Sequence, residues 1–170
     1  MKYPLQLTPI SHVRLKLPSN KIVEIPRVQT TFKVWSGNND FDAYGNKTVL
    51  SIKGKPAFAE LIILKIFQSE GWGGVWVDTF QNKYRTEYFP KNEVGVPAEQ
   101  DKLIETIRAK AKKNKGCWDI FCWKDSEIIF AESKRRGRDR IRNTQLQWLE
   151  SSLEYGLSLD SFLIVEWSAV

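Results

Sequence analysis

Short apolar runs broken by turn-forming residues mark the first third of the chain as β-rich. They fall at 13–17, 22–25, 28–35 and 47–52, with Pro-Ser-Asn, Ile-Pro and a Gly/Asn/Asp-rich stretch at 36–46 between them. From Pro56 the pattern changes to that of a helix whose body, 57–70, is apolar nearly all round and stops at Gly71. A helix with so little polar surface is expected to be buried. A strand over 73–80 follows, then a polar connection over 81–96 and an amphipathic helix that starts at Pro97 and turns Leu103, Ile104 and Ile107 inward. Two apolar runs then flank Asp125-Ser126 as a β-hairpin. After them come a basic loop over 135–140, a helix from about 141 to 155 closed by Gly156, and a last strand over 161–167. From residue 56 the predicted order is helix, strand, helix, strand, strand, helix, strand, an α/β pattern without internal repeats.

The hairpin register can be derived by hand. With Asp125-Ser126 as a two-residue turn, Lys124 pairs with Glu127, and every further pair keeps the residue sum 251. Asp119 and Glu132 satisfy that sum, so their Cβ atoms are expected about 5 Å apart, with Lys134 on the same face by the period of two. Phe121 with Phe130 and Trp123 with Ile128 fill the rest of that face, apolar at the turn and doubly acidic at the open end. The other face, Trp118, Ile120, Cys122, Ile129 and Ala131, is apolar as well, which predicts a hairpin central to a sheet. Like charges opposed on a buried sheet cost free energy, and a cation is their natural partner. The plainer alternative is a solvated pair of edge carboxylates.

Composition narrows the chemistry. With 170 residues the chain is expected to be one domain, 1–170, comprising the β-rich section 1–53 and a core over 56–167. Lys and Arg exceed Asp and Glu by 26 to 20, a net charge of +6, and the excess is clustered, which favours a polyanionic partner. Lys110, Lys112, Lys113 and Lys115 lead into Asp119, while Arg135, Arg136, Arg138, Arg140 and Arg142 follow Lys134. Both groups leave the open end of the hairpin, where they would hold the phosphates flanking a scissile bond. For the lysines, complementing a helix C-terminus is an equally ordinary role. No run approaches the roughly 18 apolar residues of a membrane span, and no signal-peptide order opens the chain, so a cytoplasmic location without a membrane partner is expected. Cys117 and Cys122, an odd number of residues apart, should face opposite ways as core thiols, and the lone His12 argues against multi-histidine zinc sites and histidine-base nucleases.

Phosphodiester hydrolysis needs an activated water, neutralised phosphoryl oxygens and a stabilised leaving alkoxide, which one or two Mg²⁺ or Mn²⁺ ions held by carboxylates supply. Asp119 and Glu132 are the candidate ligands, with the Ser133 backbone carbonyl as a further oxygen. Lys134 is placed to orient the water or neutralise the phosphate, or else to bridge one of the acids.

Gly116-Cys-Trp-Asp119, Glu132-Ser-Lys134, Asp139-Arg-Ile, Gln145-Leu-Gln-Trp148-Leu and Gly156 together resemble the VRR-NUC family of PD-(D/E)XK nucleases over roughly 56–167. Three positions depart from that pattern: Trp118 where proline is usual, Ser133 for a small apolar residue and Arg135 for glycine. The resemblance implies a restriction-endonuclease-like core, a central mixed sheet flanked by helices, preceded here by the β-rich section. It also implies an acid on the first core helix, for which Glu60 is the candidate metal ligand, although an acid in a first turn is favoured by the macrodipole alone. Asp78 is a weaker candidate. Gln145 is implied to point at the active site as a catalytic residue, and Trp148, three residues on, to pack. The activity implied is a Mg²⁺- or Mn²⁺-dependent endonuclease on DNA, flaps or four-way junctions for example, with a homodimer suited to a symmetric substrate. The alternatives are a nucleic-acid-binding module without catalysis, and a sequence-specific restriction-type nuclease that reads DNA through its N-terminal β section.

Overall fold

The computed structural model describes residues 2–38, 47–79, 82–87, 93–111 and 116–170. Among them, seven strands form one mixed sheet: β1 (Ser11–Lys16), β2 (Ile22–Phe32), β5 (Gly73–Asp78), β6 (Lys83–Arg85), β7 (Ile120–Lys124), β8 (Glu127–Arg135) and β9 (Phe162–Ala169). Their order is β1-β2-β9-β8-β7-β5-β6, with β2-β9 and β9-β8 parallel and the other neighbours antiparallel. Two further strands, β3 (Leu50–Ile52) and β4 (Lys55–Ala57), make a separate hairpin, and the helices are α1 (Ala59–Ser69), α2 (Ala98–Lys110) and α3 (Asn143–Tyr155).

The sheet is covered on both faces, as the successive apolar positions of its central strands require. On one side α1 buries Leu61, Ile62, Leu64 and Phe67 against Ile120, Cys122, Ile129 and Ala131. On the other, Leu103, Ile104 and Ile107 of α2 and Trp148 and Leu149 of α3 meet Phe121, Phe130 and Phe162. Those three phenylalanines stack across β7, β8 and β9, with ring centroids 4.7 Å apart for Phe121–Phe130 and 5.7 Å for Phe130–Phe162. Trp148 meets Phe130 edge-on at 5.8 Å, a geometry that adds about 0.5–1.5 kcal/mol per pair beyond area burial. The column therefore fixes where α3 lies over the sheet. Among the described residues no helix is long and apolar enough to cross a membrane.

Several sequence expectations change. Pro56 does not open α1: Lys53 and Gly54 both take positive φ, 48° and 74°, forming the two-residue left-handed turn that hairpins favour. Pro56 is thereby drawn into β4 opposite Ser51, and α1 begins only after Phe58. Ile25-Pro26 does not separate two strands either. Pro26 lies inside β2 just before the β9 ladder begins at Arg27, so its missing N–H forfeits no bond to β9. The strand predicted over 47–52 is shortened to β3, and the polar connection contains β6, three polar-looking residues too short to show a period. Trp118 lies on the face opposite the one expected, with its ring 5.0 Å from that of Phe162. It precedes the first β7–β8 ladder pair, where strand alternation no longer governs direction. Cys117 and Cys122 are buried free thiols on opposite faces, both pushed up by burial.

Candidate active site

The hairpin forms in the register the arithmetic requires, from Lys124↔Glu127 to Ile120↔Ala131, and there β7 and β8 part. β8 continues beside β9 as far as Arg135↔Trp167, leaving a fork in the sheet at Glu132. Asp119 stands one residue beyond the ladder, its carbonyl accepting from the Val77 amide at 2.7 Å. Side chains close the fork in place of backbone pairing. The Asp119 amide donates to Glu132 Oε2 at 3.1 Å, and the Ser133 amide donates to Asp119 Oδ2 at 3.2 Å. The two carboxylates expected to oppose each other are thus interlocked through each other's strands.

α3 supplies the next residue. Gln145 Nε2 donates to Glu132 Oε1 at 2.5 Å, and Gln145 Oε1 accepts from the Arg142 amide at 2.9 Å and from Lys134 Nζ at 3.3 Å. Gln145 therefore satisfies one backbone donor at the helix N-terminus, the Arg142 amide, with the same side chain that grips the site. Trp118 Nε1 donates to the Gln145 carbonyl at 3.2 Å, tying the approach to β7 to α3. Gly116, with φ of 118°, passes so close that a Cβ there would lie 2.2 Å from the Thr144 carbonyl oxygen. Only glycine permits that crossing.

Lys134 Nζ sits 2.8 Å from Glu132 Oε1, so the salt bridge that its sequence left open is formed, with the two residues 8 % and 1 % exposed. From the opposite face of the sheet, Glu60 in the first turn of α1 hydrogen-bonds Lys47, whose ammonium also lies 5.5 Å from the Phe58 ring and 5.2 Å from that of Trp76. Lys47, Glu60, Asp119, Glu132, Ser133 and Lys134 all line one open cavity of about 500 Å³. Asp78, by contrast, forms a buried pair with Arg85 at 3.0 Å and lines a different cavity.

Glu60, Asp119 and Glu132 meet Lys47 and Lys134 in this cavity, with Asp139 beside its arginines, and the crowding is visible at Asp119 and Lys47. Burial, then the negative charges of Glu132 and Glu60, push the Asp119 carboxyl well above the usual carboxylate range against the pull of Lys47 and Lys134. Burial opposes the charge of Lys47, but Glu60, with Asp119 and Asp78 behind it, outweighs burial and holds its ammonium above the ordinary value. Among the described residues no ion pair closes on Asp119.

The arginines divide. Arg138, Arg140 and Arg142 line the same cavity as the carboxylates. Arg135 lines an adjoining chamber, donating to Thr48 Oγ1 at 2.6 Å and lying 5.7 Å over the Trp167 ring. Arg136 is exposed and lines neither. Asp139 Oδ2 accepts from the Arg135 amide at 2.9 Å and so folds the basic loop back on itself. Lys112, Lys113 and Lys115 lie outside the described residues, and Lys110 pairs with Glu154 at 3.8 Å. Sequence reasoning missed Lys47 and Thr48, which follow the Gly/Asn/Asp-rich stretch and carry no motif of their own. Ser133, whose carbonyl is the expected ligand, also engages the site by its amide, which donates to Asp119, and by its hydroxyl, which accepts from Trp167 Nε1 at 2.9 Å.

Glu60, Asp119 and Glu132 offer an all-oxygen donor set, the kind that Mg²⁺ and Mn²⁺ take, without the imidazole or thiolate that zinc prefers. In the arrangement described, Glu60 is turned to Lys47 and Glu132 to Lys134 and Gln145, and no three His, Cys, Asp or Glu residues stand in ligating geometry among the described residues. The donor chemistry fits a hard divalent ion once those ammonium contacts give way. No protein-family model matches the chain, and no curated protein matches it.

Proposed function

We propose that the chain is a divalent-metal-dependent endonuclease that hydrolyses phosphodiester bonds in DNA, with branched or otherwise structured DNA as substrate. The observation that carries this reading is the shared cavity, where Glu60, Asp119, Glu132 and Lys134 meet under a rim of Arg138, Arg140 and Arg142, three arginines against the single acid Asp139. A site for a neutral or cationic substrate has no use for that rim. The order α1, β5, α2, β7, β8, α3, β9, with β6 inserted, supports a restriction-endonuclease-like core of the VRR-NUC kind.

Glu60, Asp119 and Glu132 would hold Mg²⁺ or Mn²⁺, which when bound lowers the pKa of a water and offsets charge at the phosphoryl oxygens. The protein's own groups do the rest. Lys134, which stands beside Glu132 in the arrangement described, would orient the attacking water or meet the developing charge on phosphorus. The arginines fix the strand through its neighbouring phosphates. Incubation with branched and linear DNA plus Mn²⁺ tests the assignment: cleavage by wild type that Asp119→Ala abolishes is expected, and equal cleavage by the variant refutes it.

A second reading, a nucleic-acid-binding module without catalysis, is favoured by the lysines that already neutralise Glu60 and Glu132. Calorimetric titration separates the two. A Mn²⁺ binding signal that disappears in Glu132→Ala belongs to the enzyme, and its absence from wild type belongs to the binding module.

A further inference from the structure

Lys47 comes from the N-terminal section yet touches the carboxylate cluster, and it lines two spaces at once. One is the cavity of about 500 Å³ with Asp119, Glu132 and Lys134. The other is an adjoining chamber of about 340 Å³ lined also by Thr48, Arg135, Arg138 and Trp167. Glu60 borders both, so the Lys47–Glu60 pair stands on the partition. The ammonium is held there by Glu60 and by the faces of Phe58 and Trp76, and not by a second carboxylate in hydrogen-bonding contact among the described residues.

We infer that Lys47 and a divalent metal ion compete for Glu60, and that the ammonium released by the metal binds a backbone phosphate of the nucleic acid in the adjoining chamber. Resting on the nuclease reading above, this adds a positioning residue that links metal loading to substrate grip. The physical basis is short. A carboxylate oxygen engaged by an ammonium is a poorer ligand, because a metal must first break a charge-assisted hydrogen bond. Once displaced, the ammonium, whose side chain is 38 % exposed, is free to turn into the adjoining chamber, where Arg135 and Arg138 stand with Asp139 as the one remaining acid not taken by the metal. A backbone phosphate is an anion that Lys47 and Arg138 can share there, with the Thr48 hydroxyl as an added donor.

Two measurements on the full chain test this. Titrated with Mn²⁺ alone, Lys47→Met is expected to bind about tenfold more tightly than wild type, the effect of removing one charge-assisted contact from the competition, while Lys47→Arg stays within about twofold. Lys47→Gln, which keeps a neutral donor to Glu60, serves if Lys47→Met melts too low to titrate, and it too is expected to tighten binding. In EDTA, where no cleavage occurs, Glu60→Gln frees the ammonium and is expected to steepen the log-log salt dependence of DNA binding by about one unit. Adding Lys47→Met to that background removes the gain. Unchanged Mn²⁺ affinity on loss of the Lys47 charge, or an unchanged salt slope in Glu60→Gln, overturns the inference. If wild type cuts DNA while Lys47→Met binds Mn²⁺ no better, the inference alone has failed. If Mn²⁺ binds but nothing is cut, the nuclease reading has failed, and if neither protein binds Mn²⁺, both have.

Discussion

Replacing Gln145 with alanine removes the one side chain that joins the N-terminus of α3 to both Glu132 and Lys134. The cost can be worked from its three contacts. The 2.5 Å bond to Glu132 is to a carboxylate only 1 % exposed, and hydrogen bonds to charged groups contribute about 1.5–3 kcal/mol. The 2.9 Å bond from the Arg142 amide is a helix-cap contact, for which about 1 kcal/mol is typical. The 3.3 Å approach of Lys134 is long and adds little. Together these predict a loss of about 3 kcal/mol, or a melting point lower by about 6–12 °C for a chain of this size. Urea denaturation in EDTA, followed by the fluorescence of the seven tryptophans, measures it. A loss below about 1 kcal/mol is what a cap alone gives. That result would show that Gln145 does not brace Glu132, and that the site geometry rests on β8 alone.

Three other outcomes are expected. Asp119 has a raised pKa in the folded protein, so the fold binds its proton more tightly than the unfolded chain; the stability from that proton is full below the unfolded value and is lost as pH rises through the folded one. In EDTA, Asp119→Asn should therefore melt above wild type, by a margin that widens from pH 5 to pH 8, and a constant or reversed margin in thermal melts refutes this. Gly116→Ala must push a Cβ into the Thr144 carbonyl from a positive φ, so a destabilisation of at least about 2 kcal/mol is expected by urea titration, with Gln145 displaced. Replacing Arg138, Arg140 or Arg142 singly with glutamine should each lower the log-log salt slope of DNA binding by about one unit, whereas exposed Arg136, which lines neither cavity, should matter less; filter binding over a salt series decides it.

The legible parts of the structure were those that local rules reach. A two-residue turn and a period of two sufficed for the register from Lys124↔Glu127 to Ile120↔Ala131, which the ladder bears out, and for Lys134 beside Glu132; Asp119 lies one residue past the ladder and meets Glu132 through its amide. The start of α2 and the end of α3 followed from Pro97 and Gly156 for the same reason, since caps act within a turn of themselves. Trp118 was misplaced because alternation was extended past the last ladder pair. Pro56 was misread because Lys53-Gly54 was not recognised as a hairpin turn.

Contacts between distant segments were beyond such rules. Nothing in 22–32 announces that β2 runs parallel to β9, which follows it by some 130 residues, yet that pairing binds the N-terminal section into the central sheet. Nothing near Lys47 announces Glu60, because their meeting depends on the β3–β4 hairpin turning the chain back onto α1. The sequence by itself thus determined the hairpin register and the pairing of Glu132 with Lys134, which are properties of one hairpin. Tertiary structure alone decided that Lys47 stands against Glu60 beside them, because charges from segments far apart in the chain converge only when burial of both sheet faces has packed α1 and α3 around the fork.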